Sequence, residues 1–405
     1  MELTSNKKLR VLLLPFFATS HIGPFTDFAI RLATAKPGAV EPTVAVTPAN
    51  VPVVAAALER HGLTAKEGLV NIVTNPFPVV DGFPPGVENL SAAGSADQAS
   101  RIDAAAVDEA LTRPAQEALV RELSPDAVVT DVHFFWNGAV AAGLEAPCPC
   151  VMFSVIGPFS TLAMRRLAVR DDDCPGSDEE SRSPAAELAV HGLPGPEIRI
   201  PATELPEFLR SQKLRDCLNP SWAAMDRCFG VAFNLFADLE QQYCETYARN
   251  VSARAYFVGP VSLPLPPAGD QLLPPCVRWL DSKPSCSVVY VCFGTYAAVS
   301  EDQLWELALG LEASGKPFLW VVRGWSTPPA GWEERVEDRG MLVRGWAPQT
   351  TILAHRAVGA FLTHCGSSSL LEAAVAGVPM LTWPLVFDQF IQERLVTDVI
   401  ESVNH

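Results

Sequence analysis

The sequence predicts an α/β protein made of two doubly wound domains, and three observations carry that expectation. Runs of Val, Leu, Ile and Phe are apolar at consecutive positions, as strands buried on both faces of a parallel sheet must be. Each run gives way to a Gly/Pro/Ser turn and then a helical pattern, the rhythm of repeated βα units. The chain of 405 residues is also too long for one ordinary core.

The first run, "RVLLLPFF", follows two lysines and faintly imitates a signal peptide, but it is short and broken by Pro15. It reads as the opening strand. "PDAVVTDVHFF", "CVMFSVI", "SVVYVCFG", "PFLWVVRG" and "AVGAFLTHCG" supply further strands. The acidic stretch 170–184 reads as a surface loop. The proline-rich stretch 259–276 reads as a stiff linker, dividing an N-terminal domain, 1–258, from a C-terminal domain, 277–405. In open α/β sheets ligands gather at the carboxyl ends of the strands, so the two domains are expected to face a cleft.

Charge and cysteines narrow the function. A formal charge of −16 argues against nucleic acid and against acidic membranes. No apolar stretch is long and charge-free enough to span a membrane. Ten scattered cysteines, with no CxxC pair, read as reduced thiols and point to the cytoplasm.

Two patterns are decoys, and a third is absent. Gly310, Gly315 and Lys316 imitate a phosphate-binding loop, but Pro317 stands where a magnesium-binding hydroxyl belongs. A helix precedes and a strand follows, so Gly315 is expected to cap that helix. The aspartates 171–173 lie in the polar stretch with no strand end to fix them. No GxGxxG follows the first strand, which weakens a dehydrogenase reading.

"FLTHCGSSSLLEAAVAGVP" is different. An apolar strand stops at His364, turns through Cys365 and Gly366, and crosses three serines into a helix. Such a junction offers unpaired N–H groups and a positive dipole end, which suit a phosphate.

The wider segment from Trp346 to Gln389 resembles, almost end to end, the signature box of plant family-1 UDP-glycosyltransferases. "SHIGPF", "VAFNLFADLE", "YFVGPV" and "WLDSKPSCSVVYVCFGT" extend the likeness over nearly the whole chain. The resemblance implies the GT-B architecture, two Rossmann-like domains with the acceptor held mainly by the first and the nucleotide sugar by the second. Under it, Trp346 offers uracil a flat platform, Ala347 backbone hydrogen bonds to the base edge, Gln349 support for the nucleoside and Glu372 an acceptor for both ribose hydroxyls. The diphosphate is assigned to the turn at Gly366, Ser367 and Ser368, with His364, Ser369 and backbone N–H groups as donors. Thr295 adds a hydroxyl from a second junction. Asp388 and Gln389 suit vicinal sugar hydroxyls, and the terminal Gln favours UDP-glucose.

The same resemblance makes His21 the catalytic base and Asp131 the group that orients it. His133 reads as a pocket-lining or structural histidine. Ser367-Ser368 stand where the family usually has Trp-Asn, and Val155 where many relatives have threonine, with Ser154 the nearest substitute. The family's chains also continue past the box, whereas this one stops at "DVIESVNH", which makes it look truncated. The expectation is an inverting glucosyltransferase acting on small phenolic metabolites, with no cofactor and no metal. Its partners are then a UDP-sugar and a small acceptor, and the chain is a monomer. A non-catalytic, truncated relative is the alternative.

Overall fold

The computed structural model describes residues 8–63, 68–80, 82–169, 187–211, 215–262, 264, 274–296, 299–323 and 328–400. The acidic stretch 170–184 and most of the proline-rich stretch 259–276 lie outside the described residues.

Among the described residues fourteen strands run in chain order: β1 (Leu9–Leu14), β2 (Val40–Val46), β3 (Asn71–Thr74), β4 (Ala127–Asp131), β5 (Cys150–Ser154), β6 (Glu187–Ala189), β7 (Arg199–Pro201), β8 (Gly230–Phe233), β9 (Ala255–Phe257), β10 (Val288–Cys292), β11 (Phe318–Val322), β12 (Gly340–Arg344), β13 (Val358–Thr363) and β14 (Met380–Thr382). They form a seven-stranded sheet in the order β3-β2-β1-β4-β5-β8-β9 and a five-stranded sheet in the order β12-β11-β10-β13-β14. Every pairing in both sheets is parallel. β6 and β7 make a small antiparallel pair. This is the α/β architecture that the consecutive apolar runs demanded.

The chain divides into two compact units, Met1–Pro158 with Lys213–Ser262 and Phe159–Gln212 with Leu263–His405. A cut at the proline-rich stretch alone leaves 159–212 with the first half, whereas the compact division groups it with the second. An ion pair ties that segment in, Arg394 to Glu204 at 2.8 Å.

In the second unit the five-stranded sheet is covered on both faces. On one, the Tyr290 and Phe361 rings stack at 4.8 Å, packed among Leu319, Ile352, Leu353 and Leu370. On the other, Trp320 meets Trp332 edge to face beside Phe318, Leu304 and Leu311. Trp332 is buried with its indole N–H satisfied by the carbonyl of Ala308, 2.9 Å away. All five residues of β11 are buried, which is why "FLWVV" shows no polar alternation.

The helix Glu301–Ser314 opens on a capping box between Ser300 and Gln303 and closes on Gly315 at φ 63°. Gly315 is thus a left-handed cap, as the order of helix and strand led one to expect. The opening apolar run is β1, an interior strand of the first sheet, beside the central β4.

Candidate functional site

In the first unit, β1 and β4 pair in parallel, with Leu14 beside Thr130. Their carboxyl ends therefore lie side by side. The chain leaves β1 through Phe16 and starts the helix Thr19–Ala35, whose first turn carries His21. The N–H of Thr19 is met at 3.3 Å by Oδ1 of the buried Asn89, an external cap that nothing local in the sequence announces. Asp131 ends β4 and is fully buried.

His21 Nδ1 lies 2.7 Å from Asp131 Oδ2, a contact between residues 110 apart in sequence. An ionised carboxylate only accepts, so Nδ1 carries the hydrogen and Nε2 is left as the basic atom. The N–H of Phe16 also donates to Oδ2, at 3.3 Å.

His133 joins them. Beyond Asp131 the chain turns, so the N–H of His133 reaches Asp131 Oδ1 at 3.2 Å and its Nδ1 donates to the same oxygen at 2.6 Å. The ring of Phe16 packs against both imidazoles, 4.5 Å from His133 and 5.3 Å from His21. Burial pushes the Asp131 carboxyl up, but the two histidines outweigh it and hold the group well below the usual carboxylate range. Burial likewise lowers His133, and the opposing pull of Asp131 leaves it above its ordinary value. Its side chain is still 38% exposed, so solvent screens that pull. The ligand atoms of His21, Asp131 and His133 all lie within 4.8 Å of one another.

Nearby is Ser154, the nearest substitute for the missing threonine. Its hydroxyl is buried and donates to the carbonyl of Ile156 at 2.8 Å.

The second unit holds the other residues. β13 ends at Thr363, and the helix Ser367–Ala376 starts after Gly366 with no side chain capping its first N–H groups. Those donors are available to an anion. Cys365 turns the chain at φ 63°, buried. The ring of His364 is closed in by two glycines: a Cβ on Gly294 would meet Nε2 at 2.4 Å, and one on Gly366 at 2.5 Å. Its Nδ1 is sealed from solvent, and the residue as a whole is half-buried. Burial pushes this imidazole down to about 4 against the pull of a hydrogen bond to the Cys292 backbone, so it is neutral at pH 7. Ser367 and Ser368 are half-buried in the first turn, and Ser369 is buried. At the neighbouring junction after β10, Arg323 donates to the carbonyl of Thr295.

Gln349 begins the short helix Gln349–Leu353 and is a hub. Its Nε2 donates to Glu372 Oε2 at 2.8 Å and to Ser369 Oγ at 3.0 Å, while Oε1 accepts from Tyr290 at 3.2 Å. Both amide hydrogens are spent on the protein, so Gln349 braces Glu372 instead of pointing outward. Trp346 is 58% exposed, a large apolar face open to solvent. Ala347 packs against the core, and its carbonyl accepts from the N–H of Gln349 at 2.9 Å. Gln389 also turns inward, its Oε1 accepting from the N–H groups of Leu385 and Val386 at 2.9 and 3.0 Å. Asp388 accepts from Gln392 at 3.2 Å.

Sequence reasoning thus named His21 and Asp131, which meet in the first unit, and Gln349, Ser369 and Glu372, which meet in the second. It missed the turn that brings His133 to Asp131, for which the only signal was a second histidine two residues beyond a strand end.

A family model described as "UDP-glucoronosyl and UDP-glucosyl transferase" matches residues 243–403. The chain is 34% identical over 417 residues to UDP-glucose flavonoid 3-O-glucosyltransferase 7 of Fragaria ananassa, covering 98% of this chain and 81% of the relative. It is 33% identical over 414 residues to scopoletin glucosyltransferase of Nicotiana tabacum, covering 98% and 83%. Among solved structures it is similar to Glycyrrhiza uralensis UGT73P12 complexed with glycyrrhetinic acid 3-O-monoglucuronide, with TM-score 0.82 and 30% identity over 98% of this chain and 81% of that one. It is also similar to Phytolacca americana UGT2 complexed with UDP-2fluoro-glucose and pterostilbene, with TM-score 0.75 and 27% identity over 98% and 84%.

Proposed function

The chain belongs to the family of UDP-glucuronosyl and UDP-glucosyl transferases, and from that premise we propose that it moves glucose from UDP-glucose to a hydroxyl of a small phenolic metabolite, with inversion at the anomeric carbon. The observation that carries this reading is the His21–Asp131 pair, with Nε2 of His21 left as the basic atom. Relatives named for flavonoid, scopoletin and anthocyanin glucosylation support the acceptor class.

His21 Nε2 takes the acceptor's hydroxyl proton as that oxygen attacks C1 of the sugar. Asp131 stabilises the imidazolium that results. The bond from C1 to the β-phosphate oxygen breaks, and its electron pair leaves with UDP. The uncapped N–H groups at Gly366–Ser369 and the half-buried serines meet the growing phosphate charge. Trp346 stacks on uracil, and Glu372, braced by Gln349, accepts from the ribose hydroxyls. Asp388 and the amide nitrogen of Gln389 address the hexose, and Thr295 adds a hydroxyl to the diphosphate.

We read the reaction as metal-free. The hydrogen bonds of 2.7 and 2.6 Å that Asp131 makes to the two Nδ1 atoms are shorter than the spacing of roughly 3.3 Å between tetrahedral ligands on one zinc ion. We also place the enzyme in the cytoplasm as a monomer. Nine cysteines among the described residues are free, as a reducing compartment favours, and no helix of the described residues is long and apolar enough to cross a membrane.

Incubating the protein with UDP-glucose and a panel of phenols tests the reading: UDP should be released and a glucoside formed. A well-folded sample that turns over no acceptor would sink it.

A further inference from the structure

Asp131 serves two histidines at once. Its Oδ2 accepts from His21 and its Oδ1 from His133, and the two rings sit 5.4 Å apart at 67°. We propose that His133 is a positioning residue for the catalytic pair, locking the second oxygen of Asp131 and limiting how strongly that carboxylate draws a proton onto His21. The proposal rests on the reading of His21 as the base.

Geometry comes first. A carboxylate bonded through one oxygen turns easily about its last torsion, which has broad minima. A donor on the other oxygen removes that freedom. His133 supplies two, ring and backbone, at 2.6 and 3.2 Å. The face of Phe16, 4.5 Å from the imidazole, holds the ring in that direction.

Electrostatics follow. A buried carboxylate beside an imidazole stabilises its charged form. A base held too firmly in that form is already protonated at working pH and accepts nothing. A second imidazole on the same carboxylate draws on the same negative charge and, when protonated, repels a proton on His21. His133 retains its own proton to higher pH than a free histidine, because Asp131 outweighs its burial. Asp103, exposed on the helix Ala96–Val107, adds a smaller attraction to both rings. Asp131, Asp103 and His21 are therefore the ionisable groups facing His133.

Two variants separate positioning from mere packing. His133→Asn keeps an N–H donor near the place of Nδ1, whereas His133→Phe keeps the bulk and loses the ring donor, the backbone N–H remaining in both. With UDP-glucose and an accepted phenol, His133→Phe should lose on the order of tenfold in kcat with KM little changed, the scale of one hydrogen bond to a buried charge. His133→Asn should recover most of that loss. In both, the acid limb of kcat/KM should move to higher pH, since neither side chain carries an opposing positive charge. Equal kcat in the two variants, or an acid limb that stays in place, overturns the proposal. If His133→Phe fails to fold, judged by its melting curve, the pH profile of His133→Asn decides alone. His21→Ala is run alongside: retained turnover overturns the base assignment and this proposal with it, whereas lost turnover with unmoved His133 profiles overturns the proposal only.

Discussion

Gln349 Nε2 lies 2.8 Å from Glu372 Oε2, so two residues expected to touch the nucleoside touch each other. The amide fixes the carboxylate from one side, and Ser369 and Tyr290 fix the amide in turn. Gln349→Leu should therefore weaken UDP by roughly tenfold, about one lost hydrogen bond to a charged group, with kcat at saturation little changed. Calorimetry with UDP checks it; an unchanged affinity would show that Glu372 holds its place without help.

Asp131→Asn keeps the shape of the buried side chain and removes its charge. An amide can present its N–H₂ to His21 and leave the ring with the wrong tautomer. We expect kcat to fall on the order of 10² or more while UDP affinity stays as it was. Steady-state rates beside a UDP titration separate the two effects.

Two glycines hold His364 in place. A Cβ on Gly294 would sit 2.4 Å from its Nε2, at a φ of +74° that L residues rarely adopt. Gly294→Ala should cost the protein about 1–3 kcal/mol and loosen UDP. Gly310→Ala is the control: nothing lies within 4 Å of its Cβ, and the position is inside a helix. That variant should gain roughly 0.5–1 kcal/mol. Melting temperatures of the two should move in opposite directions.

The neutral His364 makes stability depend on pH. Its folded value is pushed down to about 4 from an ordinary 6.5, so between those limits the unfolded chain binds a proton that the folded chain does not. This contribution is whole above about pH 6.5 and is lost as pH falls toward 4. The loss is at most roughly 3 kcal/mol, less what solvent screens at this half-buried residue. His364→Asn should flatten the slope of melting temperature against pH across that window. An equal slope in both proteins would count against it.

The strands were legible because burial on both faces leaves a continuous apolar run, as in β10 and β11. The Gly315 cap was legible because a glycine between a helix and a strand has few other uses. Hydrogen-bond partners were not. Gln349 was read as facing ligand, yet both its amide hydrogens go to Glu372 and Ser369, and the Gln389 carbonyl oxygen is taken by two backbone N–H groups that reach it only once the chain has folded. His133 escaped for a similar reason: alternation along a strand predicts where a side chain points, and β4 stops at Asp131. The grouping of 159–212 with the second unit depends on contacts such as Arg394 with Glu204, 190 residues apart.

The parallel pairing of β1 with β4 sets an order of events in time. His21 and Asp131 stand 110 residues apart and become neighbours only when that long loop closes. Loop closure costs entropy before any contact repays it, so such pairings form slowly and late. Helices need no such closure and reappear early. During refolding, therefore, circular dichroism should regain most of its signal before glucosyl transfer returns. The return of activity should instead keep pace with hydrogen-exchange protection of Val128 and Val129 at the centre of the first sheet.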